Sequence, residues 1–260
     1  MAHALEAISI SKTYQSSDGP NTVLRNMSFR AEKDEFFAFV GPSGCGKSTL
    51  FNIITGLLAP DTGSIVVDGS ETTGRVSEKI GYVLQKDLLF PWRTVEDNII
   101  LGLEIKGVSK REARAMASDI LKDYKMSGYE RKLPGELSGG MRQRVALMRT
   151  MVTDPQIILI DESYKALDYP LKIELEGELL DRVKGSGKTV IFITHDIEEA
   201  VTLADRVYVM KARPGEIVEE IKIDLGTDSH NIPERRMSPH FNEYYTRIWK
   251  RIGGAHAAVA

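Results

Sequence analysis

A chain of 260 residues, 42% hydrophobic and 27% charged, has the composition of a soluble globular protein and can bury one large core or two lobes sharing one. Its formal charge of −3 offers no basic face to a nucleic-acid backbone, so no nucleic-acid partner is expected. A single cysteine, Cys45, excludes an internal disulfide framework and fits a reducing compartment.

The opening "MAHALEAISISKTY" has neither a basic start nor an apolar run of signal-peptide length. No stretch approaches the ~20 apolar residues that cross a bilayer. The chain therefore reads as cytoplasmic, with any membrane role supplied through a partner. Next come three strand-like stretches: the alternating "LEAISISKTY", then "VLRNMSFR", then the short apolar run "EFFAFV", which ends at Gly41. A helix is predicted from Lys47 through "STLFNIITGLL", stopped by Pro60.

Between that strand and that helix lies "GPSGCGKST", which matches G-x-x-x-x-G-K-[ST] in the strand-then-helix context the motif requires. Gly41, Gly44 and Gly46 let the backbone wrap a phosphate, and Pro42, Ser43, Cys45 and Thr49 complete the nucleotide loop. Lys47 is placed to reach the β and γ oxygens and the Ser48 hydroxyl to bind Mg²⁺. Cys45 sits at a variable position and reads as a small filler.

"GSIVVDG" and "KIGYVLQ" follow as strands, the second ending in Gln85, whose amide is placed to bridge Mg²⁺ or water to what comes next. From Thr94 to Tyr124 the period turns helical, with "VEDNIILGLEI" and "KREARAMASDILKDY" joined by the turn "KGVS". This predicts a helical lobe inserted in the nucleotide-binding core. After it, "LSGG" opens another helix at Ser138, Gly139 and Gly140. Such a glycine turn at a helix start is a second phosphate cradle.

"IILIDE" is an apolar strand ending in acids. At the carboxyl end of a parallel strand, Asp161 is suited to Mg²⁺ and Glu162 to polarising the attacking water. "ALD", residues 166–168, follows. Beyond it come a helix from Pro170 to about Val183, the strand "TVIFIT", His195, a helix over "IEEAVTLA" and the strand "RVYVM". His195 is either a contact to the γ-phosphate or attacking water, or a capping or core histidine. Alternating strands and helices imply a mostly parallel sheet. The last 35 residues are polar, with one amphipathic stretch, "HFNEYYTRIWKRI", and an Ala/Gly-rich end expected to be loose.

One chain has no use for two γ-phosphate cradles at a single site. A head-to-tail pair solves this: each copy's Ser138–Gly140 turn closes on the ATP held by the other's phosphate loop, and Asp168 lies on the seam.

In order and spacing, the phosphate loop, Gln85, "LSGGMRQR", "IILIDE", "ALD" and "THD" resemble the ATP-binding cassette (ABC) ATPases, over about residues 5–220. The resemblance implies an α/β P-loop NTPase with a mostly parallel core sheet, an N-terminal antiparallel β subdomain and an inserted α-helical subdomain. Its parts would be a core over 1–93 and 154–224, helices over 94–153 and a tail over 225–260 with a short helix. The resemblance also implies that Tyr14 stacks on adenine; taken alone, Tyr14 is a surface strand residue.

"LLFPWRTVEDNI", "LSGGM" and "ADRVYVMKARPGEIV" are similar to the nitrate/sulfonate/taurine importer ATPases. The implied partners are a second copy, an integral membrane permease and, indirectly, a substrate-binding protein, at the cytoplasmic face of the membrane. Phe90, Pro91 and Trp92 are either part of the permease contact or packing for the base of the lobe. Nitrate, alkanesulfonates including taurine, and thiamine-precursor pyrimidines all stay open as cargo. In "DESYKALD", Ser163 and Lys165 replace the family's usual proline and glycine, so the turn after Glu162 is expected to be less rigid. A soluble cassette acting on ribosomes or DNA is the rival, but those relatives carry two cassettes or coiled-coil insertions. An inactive cassette is the other, and the intact Lys47, Asp161, Glu162 and His195 argue against it.

Overall fold

The computed structural model describes residues 3–17, 19–162 and 168–257. Ser163, Lys165, Ala166 and Leu167, where a less rigid turn and the start of "ALD" were expected, lie outside the described residues.

The chain opens with β1 (Leu5–Ser16) and β2 (Gly19–Ala31), then β3 (Phe36–Val40), α1 (Lys47–Ile54), β4 (Thr62–Val67), β5 (Ser70–Glu71) and β6 (Ile80–Val83). Helices α2 (Val95–Ile99), α3 (Leu101–Ile105), α4 (Lys110–Asp123) and α5 (Gly139–Met151) follow. The second half alternates β7 (Ile157–Asp161), α6 (Tyr169–Val183), β8 (Thr189–Thr194), α7 (Ile197–Leu203), β9 (Arg206–Lys211) and β10 (Glu216–Lys222). It closes with α8 (Ile232–Arg236) and α9 (Phe241–Ala257).

Two sheets form. One is antiparallel, in the order β2-β1-β4-β5; the other runs β10-β9-β3-β8-β7-β6 and is parallel except for its edge strand β10. Strand β3 shows why they stack. All five of its side chains are fully buried: Phe36, Ala38 and Val40 enter the core shared with the helices, while Phe37 and Phe39 enter the core between the two sheets. A strand buried on both faces reads as an unbroken apolar run. Each such phenylalanine contributes about 1.5–3 kcal/mol. Between the sheets Phe37 and Phe39 meet Phe29 and Tyr208, with Phe39 stacked on Tyr208 at 5.4 Å.

The helices over 95–151 are capped where the sequence offers hydroxyls: Thr94, Ser109 and Ser138 each accept from a backbone N–H of the first turn. They bury Val95, Ile99, Leu121 and Val145 in the same apolar cluster as Val83 and Ile158 of the sheet.

Three predicted boundaries move. Helix α1 ends at Ile54, not before Pro60, because Gly56 takes φ 77° and its N–H caps Ile53. A Cβ at Gly56 would lie 2.1 Å from the Arg75 carbonyl oxygen. The run 95–105 breaks at Ile100 into α2 and α3. The tail helix expected over the amphipathic stretch runs on into the Ala/Gly-rich end that was expected to be loose, as the 17-residue α9 to Ala257.

Candidate active site

At the carboxyl end of β3 the chain turns through Gly41–Gly46 into α1. Gly41 has no room for a side chain: a Cβ would lie 2.8 Å from the Met210 carbonyl oxygen. Gly46 stands at φ 91° and a Cβ there would lie 2.6 Å from Leu24, so its glycine is required twice over. No side chain caps α1, leaving the first N–H groups of the helix for an anion. Lys47 is buried, and its ammonium donates to the carbonyl oxygens of Gly41 (2.8 Å) and Pro42 (3.2 Å). Cys45 is buried beside it, and burial pushes its thiol up, so it packs as a neutral group.

The order β3-β8-β7-β6 brings four strand ends side by side. Asp161 ends β7; its carboxylate accepts from the Tyr82 hydroxyl at 3.1 Å and is hydrogen-bonded to Ser48. Burial pushes the Asp161 carboxyl up, and the Tyr82 hydrogen bond opposes that. Burial and the Asp161 charge together push the Tyr82 phenol up, so it remains a donor.

Glu162 takes a left-handed conformation, φ 42°, while its N–H still donates to the Ile193 carbonyl on β8 at 3.0 Å. A non-glycine residue held there stores strain. The turn aims its carboxylate between two other predicted site residues. The Gln85 amide donates to one oxygen at 3.2 Å, and His195 Nδ1 lies 3.1 Å from the other. Ser43, Gly44, Lys47, Ser48, Asp161 and Glu162 line one cleft of about 330 Å³.

Other predicted site residues lie elsewhere. Ser138 and Gly139 are exposed at the start of α5, Asp168 is exposed at the start of α6, and none of them, nor Gly140, lines the cleft. Gly140 is buried, and a Cβ there would lie 2.3 Å from Leu171 of α6. Tyr14 is 40% exposed on β1, paired with Asn21 across the hairpin, and does not line the cleft either.

Sequence reasoning passed over the residues that hold this arrangement. Tyr82, which bonds Asp161, looked like an ordinary strand residue. Asn98 is fully buried and closes the turn before α2: its side-chain amide donates to the carbonyls of Phe90, Arg93 and Thr94, and its oxygen accepts from Phe90 N–H. Arg142 pairs with Asp87 at 3.0 Å, and Arg149 donates to the carbonyls of Asp87 and Leu88. The loop after Gln85 is thereby tied to α5. Trp92, at 74% exposed, stands outside this packing, tilted against Phe90.

Comparison with known proteins identifies the family. The ABC transporter family model matches residues 24–165. The ABC transporter ATP-binding protein YtlC of Bacillus subtilis is 39% identical over 243 residues, covering 94% of this chain and 93% of that protein. The chain belongs to the ABC transporter family. Within that family it is also similar to the aliphatic sulfonates import ATP-binding protein SsuB of Bacillus thuringiensis, 38% identical over 94% of this chain and 93% of that one. A dimeric post-hydrolysis structure of the ATP-binding cassette MJ0796 bound to ADP and Pi superposes with a TM-score of 0.75 at 32% identity, over 85% of this chain and 99% of that one. The protein is an ATP-hydrolysing subunit of the ABC type. Among the described residues no helix is long and apolar enough to cross a membrane.

Proposed function

We propose that this chain energises uptake of a small sulfonate-like or related anionic solute through a separate membrane permease, from the cytoplasmic face, with a substrate-binding protein delivering the cargo. The importer reading is supported by similarity to SsuB. The hydrolytic reading is carried by Glu162, held beside the phosphate loop between Gln85 and His195.

The residues fit the roles. The loop from Gly41 to Thr49 binds the triphosphate and Tyr14 stacks on adenine. Ser48 and Asp161 are hard oxygen donors beside each other, the set Mg²⁺ takes with phosphate oxygens and water, and Gln85 stands near enough to bridge. Bound there, Mg²⁺ would neutralise charge on the phosphates. Glu162 accepts the proton of the attacking water while the bond from the γ-phosphorus to ADP breaks, and His195 orients the group being transferred. Ser138, Gly139 and Asp168, exposed at helix starts away from the cleft, and the buried Gly140 beside them act on the nucleotide of a second copy. The dimeric MJ0796 cassette supports that arrangement. ATP binds the closed pair better than the open one and shifts the permease between access states.

Replacing Glu162→Gln should lower kcat by about 10²–10⁴-fold and trap an ATP-dependent dimer visible by size-exclusion chromatography. Turnover close to wild type removes Glu162 as base. A strictly monomeric ATP-loaded variant, even with its permease, removes the shared site. Co-purification of a polytopic membrane protein, and loss of sulfonate uptake when the chain is deleted, test the importer assignment.

A further inference from the structure

The C-terminal segment has no part in the cleft, yet it grips the helices that follow two predicted site residues, Asp168 and His195. Helix α8 begins at Asn231, whose side chain accepts from Glu234 N–H, and ends in a pair of arginines. Both reach Thr202, fully buried on α7: Arg235 Nε donates to its carbonyl oxygen at 2.5 Å and Arg236 Nε to its hydroxyl at 3.1 Å. From there the Arg236 guanidinium spans to α6. One nitrogen donates to the Tyr169 hydroxyl at 2.8 Å, another to the fully buried Glu176 carboxylate at 3.0 Å.

The chain of contacts continues. The other Glu176 oxygen lies 3.7 Å from the Lys172 ammonium, which donates to Asp196 at 2.6 Å. Asp196 caps α7 by accepting from Glu198 and Glu199 N–H. Tyr169 directly follows Asp168, and Asp196 directly follows His195. One polar relay therefore runs Tyr169–Arg236–Glu176–Lys172–Asp196, from the residue behind the dimer seam to the residue behind the γ-phosphate histidine. Packing α6 against α7 needs apolar contact only. Holding the half-buried cations Arg236 and Lys172 around the fully buried Glu176 is costly unless each is paired. Networks of this kind fix one geometry instead of adding stability.

We propose that Arg236 is a positioning residue for hydrolysis, a latch from the C-terminal segment that holds the helix opened by Asp168 in fixed register with the helix opened behind His195. This rests on the roles given above to Asp168 and His195. The tail then makes closure of the seam by one copy and placement of His195 a single event.

The test uses the full chain, with kcat, fluorescent-nucleotide affinity and melting temperature measured for each variant. Tyr169→Phe keeps the exposed ring and the buried pairs and deletes one hydroxyl. It should lower kcat by about three- to tenfold, the range of one hydrogen bond, with nucleotide affinity and melting temperature unchanged. Arg236→Lys keeps a cation against Glu176 but not the fork. It should recover the melting temperature lost in Arg236→Gln without recovering kcat. Arg236→Gln and Asp168→Ala combined should be no worse than the worse single variant, since both act through one element.

Wild-type kcat in Tyr169→Phe and Arg236→Lys, or effects of Arg236→Gln and Asp168→Ala that multiply, would overturn the latch and leave the seam standing. If Asp168→Ala alone keeps wild-type kcat, the seam reading fails and the latch falls with it.

Discussion

Two glycine-rich turns open helices in this protein, and their first turns differ. At α1 the cap is Gly46, left-handed and without a side-chain acceptor; at α5 the cap is Ser138, whose Oγ accepts from Met141 N–H at 3.3 Å. The first turn is bare and set in a cleft with three other strand-end groups, Gln85, Asp161 and Glu162, around it. The second has one of its donors already satisfied by its own serine and does not line the cleft of the phosphate loop. A bare helix start among convergent charges is a whole anion site, and a capped, exposed one is a fragment of a site. Their shared composition hides that difference, and only their surroundings reveal it.

The largest expected effect removes the cation that makes the first site whole. Lys47→Met should lower ATP turnover by about 10²-fold or more, on the scale of a lost transition-state donor, with a matching loss of nucleotide affinity in a fluorescent-nucleotide titration. Unchanged affinity would mean that the loop N–H groups alone hold the triphosphate.

Next is the contrast between the two glycines of the second turn. Gly140→Ala would drive a methyl into Leu171 and should destabilise by about 1–3 kcal/mol, as overpacking does. At Gly139 the nearest neighbour is the far end of Arg142 at 3.9 Å. Gly139→Ala should melt like wild type and still slow hydrolysis, because in the proposed shared site its methyl would meet the partner's nucleotide. Equal stability of the two variants would break the distinction.

Gly140 leans on α6, so the charge inside α6 sharpens the comparison further. Burial first, and then the Glu199 charge, push the Glu176 carboxyl from its ordinary 4.5 up to about 7, against the opposing pull of Arg236 and Lys172. The folded chain thus holds this proton more tightly than the unfolded one. Its contribution to stability declines as pH rises from about 4.5 to about 7 and is level above that. Glu176→Gln carries no such proton. The stability difference between variant and wild type should move in the variant's favour across that window, by no more than about 1.4 kcal/mol per pH unit. Denaturant melts at several pH values measure it, and a flat difference would place Glu176 in the ionised form throughout.

The sequence was most legible where neighbours along the chain decide the outcome. "TVIFIT" is a strand over 189–194 as predicted, and the phosphate loop sits between β3 and α1 as its spacing requires. Asp161, Glu162, Gln85 and His195 were found because strand ends of a parallel sheet converge. What escaped depends on contacts far apart in the chain. Gly56 ends α1 because Arg75 passes over it, Asn98 is read only against the carbonyls it gathers, and Arg236 meets Glu176 across 60 residues. No period encodes such pairings. The polar tail therefore showed no role in the sequence while carrying the arginines that reach α6 and α7.

Tyr82 is the subtlest of the long-range partners and gives the smallest expected effect. Its hydroxyl reaches Asp161 from the neighbouring strand, while its ring packs edge-on against Phe51 of α1 at 5.8 Å. Tyr82→Phe preserves that packing and removes a single donor to the carboxylate assigned to Mg²⁺. Asp161 keeps its contact with Ser48, so the loss is partial: the Mg²⁺ concentration giving half-maximal turnover should rise by about fivefold, the value of one net hydrogen bond, with kcat recovered at saturating Mg²⁺. A Mg²⁺ titration at fixed ATP reads this directly. Were kcat to fall while the Mg²⁺ requirement stayed put, Tyr82 would be acting on Glu162 or on the water instead. The first cleft would then be organised from the β6 side of the sheet as much as from the phosphate loop.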